Sequence, residues 1–349
     1  MLFEGLARRA FGHADGDAVA APPRAARAAP VRPRIGLALG SGAARGWAHI
    51  GVLRALAEAG IKPDVIAGCS VGAVVGGCYA AGKLDELESF ARLLTKRRIM
   101  GLLDFHMSRS GLIGGDRLGR LLDVDLGATR VEDLPIRFAS VATELSTGHE
   151  IWLTRGRVVD ALRASYALPG VFQPVRLGGR WLMDGALVNP VPVTVARALG
   201  ADLVICVNLN GEIKLRGTVI QTQPEDPADP ADPAPRPVDD EAGGFRFLPS
   251  WRGEAGKRGE RPDPPGIGAV LTDAFNITQD RISRSRLAGD PPDMMVSPKL
   301  QSVGLFEFHR AAECIDRGRE AAQRLLSDLR DVLGTVDAPP SAPPHAVAM

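Results

Sequence analysis

A three-layer α/β/α fold around a largely parallel central sheet is what this 349-residue sequence predicts, and three observations carry the prediction. From Arg34 onward, short apolar runs of strand length alternate with stretches of helical periodicity. Glycine-rich turns stand at two strand-to-helix junctions, Gly40–Gly46 and Gly68–Gly72. Hydrophobic residues make up 45% of the chain, enough for one substantial core.

Residues 1–33 precede this pattern as an Ala- and Arg-rich extension with Pro22, Pro23, Pro30 and Pro33. It has no continuous apolar stretch of the secretory kind, so it reads as disordered or weakly amphipathic. Leu2, Phe3, Leu6 and Phe11 beside Arg8 and Arg9 suit contact with an anionic membrane surface.

The core domain is expected over 34–212. Arg34–Leu39 is a buried strand, the loop Gly40-Ser41-Gly42-Ala43-Ala44-Arg45-Gly46 follows, and Trp47, Ile50, Leu53 and Leu56 begin a helix ending at Gly60. A glycine loop opening a helix presents free N–H groups at the positive end of the dipole, suited to a phosphate or an oxyanion. The dinucleotide reading is weakened, though left open, by spacing, since Gly46 stands one residue too far from Gly42 and Asp64 begins the second strand. No Gly-Lys-Ser/Thr is present for a nucleoside triphosphate.

Asp64–Ala67 is the second strand, and Gly68-Cys69-Ser70-Val71-Gly72 turns it into a helix running to Ala81. This G-x-S-x-G in a strand–turn–helix setting is a nucleophile elbow, with Ser70 at its tip and Gly68 and Gly72 permitting the sharp turn. Leu84–Lys96 is amphipathic, 101–115 reads as a loop, 136–143 and 150–154 as strands, and 158–166 as a helix. Arg180–Met183 is a strand ending at Asp184-Gly185-Ala186, before Asn189-Pro190-Val191-Pro192 and a further helix. Asp184 is thereby held at a strand end, and Trp181, Leu182 and Met183 offer apolar surroundings that would raise its basicity. Asp202–Leu209 is another buried strand.

Composition then changes. Ten of the 27 prolines fall between Thr222 and Pro265, so 213–265 is expected to be a charged, disordered insertion. Residues 266–335 resume the domain: Val270, Leu271, Ala274, Ile277 and Ile282 form a helical stripe, 293–296 a strand and 308–332 a closing helix. From 336 the chain is a flexible tail.

Three of these pieces together resemble the bacterial patatin-like phospholipases, strongly over Arg34–Leu209. The resemblance implies a patatin-like fold and a serine acyl-ester hydrolase acting on phospholipids or lysophospholipids, without cofactor or metal. It implies Ser70 as nucleophile, Asp184 as base, and an oxyanion hole from the loop carrying Gly40, Gly42, Ala43 and Arg45. Ala164-Ser165-Tyr166-Ala167-Leu168-Pro169-Gly170 also matches the segment preceding the aspartate in that family. The family often reads Asp-Gly-Gly-Gly-x-Arg-Gly where this chain has Gly40–Gly46, which leaves the donor amides open.

Two further alternatives stay open at this level. A Ser-His-Asp triad would draw on His309, the late histidine of the folded part, although its place at the head of a helix suits a cap. A non-catalytic lipid-binding or regulatory module on the same fold has no need of both Ser70 and Asp184. A net charge of +1 gives no reason to expect nucleic acid. Cys69, Cys78, Cys206 and Cys314 show no paired or metal spacing and read as buried thiols of a reducing, cytoplasmic compartment. No apolar run reaches the ~20 residues of a spanning helix, so membrane contact is expected to be peripheral, at the inner surface.

Overall fold

The computed structural model describes residues 32–102, 105–108, 111–113, 116–210 and 266–337. Nearly all of the expected N-terminal extension, the Pro-rich insertion and the end of the tail lie outside the described residues. In chain order the first half comprises β1 (Ile35–Leu39), α1 (Ala48–Glu58), β2 (Val65–Cys69), α2 (Val71–Ala80), α3 (Leu84–Arg92) and α4 (Lys96–Leu102). A hairpin of β3 (Phe105–Ser108) and β4 (Gly111–Ile113) leads to α5 (Asp116–Leu126). Then come β5 (Arg137–Glu144), β6 (Glu150–Leu153), α6 (Val158–Ser165), β7 (Val175–Leu177) and β8 (Arg180–Asp184). The chain finishes with α7 (Val193–Ala198), β9 (Leu203–Val207), α8 (Ile267–Gly289), β10 (Met294–Val296) and α9 (Ala311–Asp337).

The main sheet runs β10-β9-β1-β2-β5-β8-β7, with β6 also on β5. β10, β9, β1, β2 and β5 are parallel, β6 and β8 pair antiparallel with β5, and β7 pairs antiparallel with β8. β1, β2 and β9 are apolar on both faces, yet the faces differ in size. Leu37, Leu39, Ile66, Ile205 and Val207 face a large core shared with α1, α2, α6 and α9. Ala38, Ala67, Cys69, Ala139 and Cys206 face a thinner core under α7, completed by Val193 and Val195. Large-in and small-out alternation at period two thus builds three layers from continuous apolar runs. The four cysteines are free and buried, and Cys69 lies in the thinner core, turned away from α2.

α9 lies across α1 at glycines. A Cβ on Gly51 would stand 1.8 Å from the Ile315 carbonyl oxygen, and one on Gly318 would stand 2.0 Å from that of Ala48. Gly51→Ala therefore has to push a backbone aside, and an expected loss of about 1–3 kcal/mol of stability is measured as a lower urea midpoint at unchanged m.

Two expectations need correction. In the stretch 101–115, read as a loop, the described residues finish α4 and form strands β3 and β4. More tellingly, much of the apolar stripe read on α8 faces outward: Val270, Leu271 and Ile277 are exposed, while the inward face carries buried Gln279 and Ser283 beside the half-buried Phe275, Ile282 and Leu287. α8 is thus seated by apolar packing of Phe275 and Leu287 together with a buried glutamine.

Candidate active site

β1 and β2 end side by side, and the loops leaving their carboxyl ends form the site. β1 is flanked by β9 on one side and β2 on the other, so chain direction across the sheet switches here, where open α/β sheets bind ligands. Ser70 follows β2 and caps α2 with φ 54° and ψ −123°. The other non-glycine residue with positive φ among those described is Ala43, at 47°, in the glycine loop. Left-handed backbone costs a non-glycine residue about 1–3 kcal/mol, and both instances fall at this one place. Gly68 and Gly72 make the turn sterically feasible: a Cβ would meet the Ala73 backbone at 2.4 Å or the Leu39 carbonyl at 2.2 Å.

Strand register brings Asp184 to Ser70. Within β5, Val141 pairs with Cys69 of β2 and Ala142 with Asp184 of β8, while β6 pairs with both on the opposite edge. β2 and β8 therefore lie end to end on one edge of β5, running toward each other, and their last residues meet. The outcome is a 2.7 Å hydrogen bond in which the Ser70 hydroxyl donates to Asp184 Oδ2. Oδ1 accepts the Ala186 amide at 2.8 Å, and Thr143 Oγ1 donates to the Asp184 carbonyl at 2.9 Å. No histidine stands between them; His309 lies in a 3-10 turn, Phe308–Arg310, before α9. Burial raises the Asp184 pKa from 3.8 to about 6, against the stabilising bonds from Ser70 and Ala186.

The cause of that burial differs from the one expected. Trp181 is half-exposed, with the Arg176 guanidinium 5.9 Å from its ring centroid, and Leu182 packs in a separate small cluster with Ala142 and Ala164. Asp184 is desolvated instead by its position at the meeting of two strand ends, 2% exposed beneath its own Gly185–Ala186 turn.

In the glycine loop the amides divide into two groups. Gly40 N–H donates to the Val207 carbonyl and Ser41 N–H to that of Pro190, at 3.1 and 2.8 Å. Ala44 N–H donates to Leu305 O at 2.9 Å. Among the described residues nothing accepts from Gly42 or Ala43 N–H, which leaves those two amides open at the start of a helical turn. Gly40 is thus an anchor, its carbonyl also accepting from His49 Nε2 at 2.7 Å. His49 is fully buried and held neutral, its pKa lowered to about 4 by desolvation. Half-buried Arg45 donates to the Val303 carbonyl at 2.8 Å and to Asn210 Oδ1 at 3.4 Å. Both acceptors are neutral, and desolvation lowers its pKa.

Sequence reasoning missed one close support. Ser165, at the end of α6, accepts the Ser70 amide at 2.8 Å and donates to Val141 O at 2.6 Å, tying the elbow to β5. Its segment, Ala164–Gly170, was a recognisable motif with no role attached, and the signal was a serine at a helix end.

Fold and turn geometry define a three-layer α/β protein with an elbow serine at the carboxyl ends of its parallel strands. The family model of patatin-like phospholipases matches residues 37–197. An NTE family protein of Mycobacterium tuberculosis is 36% identical over 331 residues, covering 84% of this chain and 91% of its own. The chain belongs to the patatin-like phospholipase family. A second M. tuberculosis NTE family protein is 30% identical over 86% of this chain and 47% of its own. The lysophospholipase NTE1 of Pyricularia oryzae is 26% identical, over 85% of this chain and 19% of that much longer protein. No helix among the described residues is long and apolar enough to cross a membrane.

Proposed function

We propose that this chain hydrolyses the acyl esters of phospholipids or lysophospholipids through a Ser70–Asp184 dyad. The observation that carries the reading is the 2.7 Å hydrogen bond from an elbow serine to a buried carboxylate. Ser70 Oγ attacks the ester carbonyl carbon while Asp184 takes its proton. The tetrahedral oxyanion is held by the Gly42 and Ala43 amides, with the Arg45 charge nearby in a low-dielectric wall. Collapse breaks the ester C–O bond, Asp184 returns its proton to the leaving alkoxide, and an acyl-Ser70 remains. Water, deprotonated by Asp184, then releases the fatty acid and restores Ser70. The lysophospholipase activity named for the fungal relative supports the lipid class, and family membership supports hydrolysis of acyl esters. Access to such substrates is peripheral, at the inner membrane surface.

The test is fatty-acid release from lysophosphatidylcholine micelles and p-nitrophenol release from medium-chain esters. Wild type and His309→Ala are expected to hydrolyse both at similar rates. Loss of activity in folded His309→Ala would restore the triad, and a silent wild type would favour the lipid-binding module.

A further inference from the structure

We infer that Gln279, on α8, is a positioning residue for the oxyanion loop. The inference rests on the hydrolase reading above. Ser41 Oγ donates to Gln279 Oε1 at 2.7 Å, across 238 residues of sequence, and Asn210 Nδ2 donates to the same oxygen at 3.4 Å. Asn210 in turn receives the Arg45 guanidinium, and its own amide donates to Asn208 Oδ1 at 3.0 Å. Ser41, Asn208, Asn210 and Gln279 are each buried, at 2, 6, 5 and 4% exposure.

An apolar side chain at 279 would be the cheaper way to bury a helix face, because a desolvated amide is unfavourable until it is bonded. α8 instead places Gln279 between the half-buried Phe275 and Leu287 and buries it more fully than either, while Val270, Leu271 and Ile277 stay in solvent. A glutamine at the most buried part of that face makes physical sense if the helix's contact with the loop is a polar one. Ser41 immediately precedes the two open amides. Its side chain is fixed by Gln279 and its N–H by the Pro190 carbonyl, so Ser41 is held by both backbone and side chain one residue before the Gly42 amide. Arg45, on the far side of those amides, is fixed through Asn210 by the same glutamine oxygen. Gln279 thereby holds both flanks of Gly42–Ala43, as preorganised donors require.

The experiment compares Gln279→Met, which keeps length and loses the acceptor, with Ser41→Ala and the double variant. Leu329→Ala, in the buried face of α9, serves as a control for lost stability alone. Expected for Gln279→Met is a kcat lower by about 10- to 100-fold, short of the 10²–10³ that outright loss of a donor costs, with KM within a few-fold of wild type. Ser41→Ala is expected to behave similarly, and the double variant no worse than the poorer single. Hydrogen exchange of the 40–46 peptide is expected to accelerate in Gln279→Met while the β2–α2 peptide keeps its protection. Wild-type kcat and loop protection in Gln279→Met would overturn the proposal, as would a kcat loss that Leu329→Ala reproduces at equal melting temperature. If wild type hydrolyses no ester, the hydrolase reading falls while hydrogen exchange still decides the role of Gln279. If Ser70→Ala abolishes activity and Gln279→Met does nothing, the reverse holds.

Discussion

Ser70→Ala is expected to lower ester hydrolysis by about 10⁴-fold or more, and Ser70→Gly to do the same while being the more stable of the two variants, both having lost the bond to Asp184. The first part follows from chemistry: removing Oγ leaves no atom to form the acyl-enzyme, and what survives comes from substrate binding and the open loop amides. The second part follows from backbone geometry. Ser70 sits at φ 54°, which costs a residue bearing a Cβ and costs glycine little. Relief of about 1 kcal/mol is expected in glycine, partly offset by the larger entropy of the unfolded chain. Alanine keeps the strain and gains nothing from this source. Parallel assays of fatty-acid release and thermal unfolding separate the two effects. A side chain kept at a backbone conformation that only glycine adopts freely is what a functional demand on the position would produce. Equal activity in wild type and Ser70→Ala would sink the dyad outright.

Much of this molecule was legible because its decisive features are local. The elbow is encoded within five residues: glycines at 68 and 72 admit the turn, and the apolar run before them and small residues after them set strand and helix. Asp184 was legible for the same reason, as a carboxylate at a strand end followed by glycine. The closing elements 267–289, 294–296 and 311–337 also lie within a few residues of where periodicity put them.

Partner choice was not legible. Nothing near Ser41 in the sequence points to Gln279, and nothing near Ser70 points to Ser165, 95 residues away. Burial of a polar side chain is settled by what arrives from elsewhere in the fold, and local periodicity has no access to that. The outward stripe on α8 shows the rule failing in the informative direction. Val270, Leu271 and Ile277 obey helical spacing, yet the inward face puts two polar residues, Gln279 and Ser283, deeper than its own Phe275 and Leu287. Trp181 fails similarly: alternation puts Leu182 and Asp184 inward and leaves the indole half-exposed over Arg176. Where hydrophobic patterning and observed burial part company, the exception on α8 lies against the glycine loop, where a site would put it.

Asp184→Asn is expected to remove activity to a similar degree as loss of the nucleophile and to alter the pH dependence of stability in a way no structural carboxylate would. Asparagine can keep the existing geometry: its carbonyl accepts the Ala186 amide and its NH₂ faces Ser70 Oγ. It cannot take the hydroxyl proton, so the loss is chemical rather than conformational. In wild type the carboxyl group ionises at about 6 in the folded state against 3.8 as the ordinary value, because burial disfavours its charge. Between those two values the folded protein holds a proton that the unfolded chain has released. Stability therefore falls as pH rises across that window and stays lower above it, by about 3 kcal/mol at most on the linkage relation. Activity runs the opposite way, since only the carboxylate can accept the Ser70 proton: kcat/KM rises roughly tenfold per pH unit up to about 6 and then levels. With no charge to bury, Asp184→Asn should unfold at a higher temperature than wild type at pH 8, and the difference should vanish below pH 4. Coincident melting curves at both pH values would show that Asp184 is not held as a buried, strained base. A stabilised but inactive Asp184→Asn would show that the fold gives up stability at this residue to keep a carboxylate basic enough to activate Ser70.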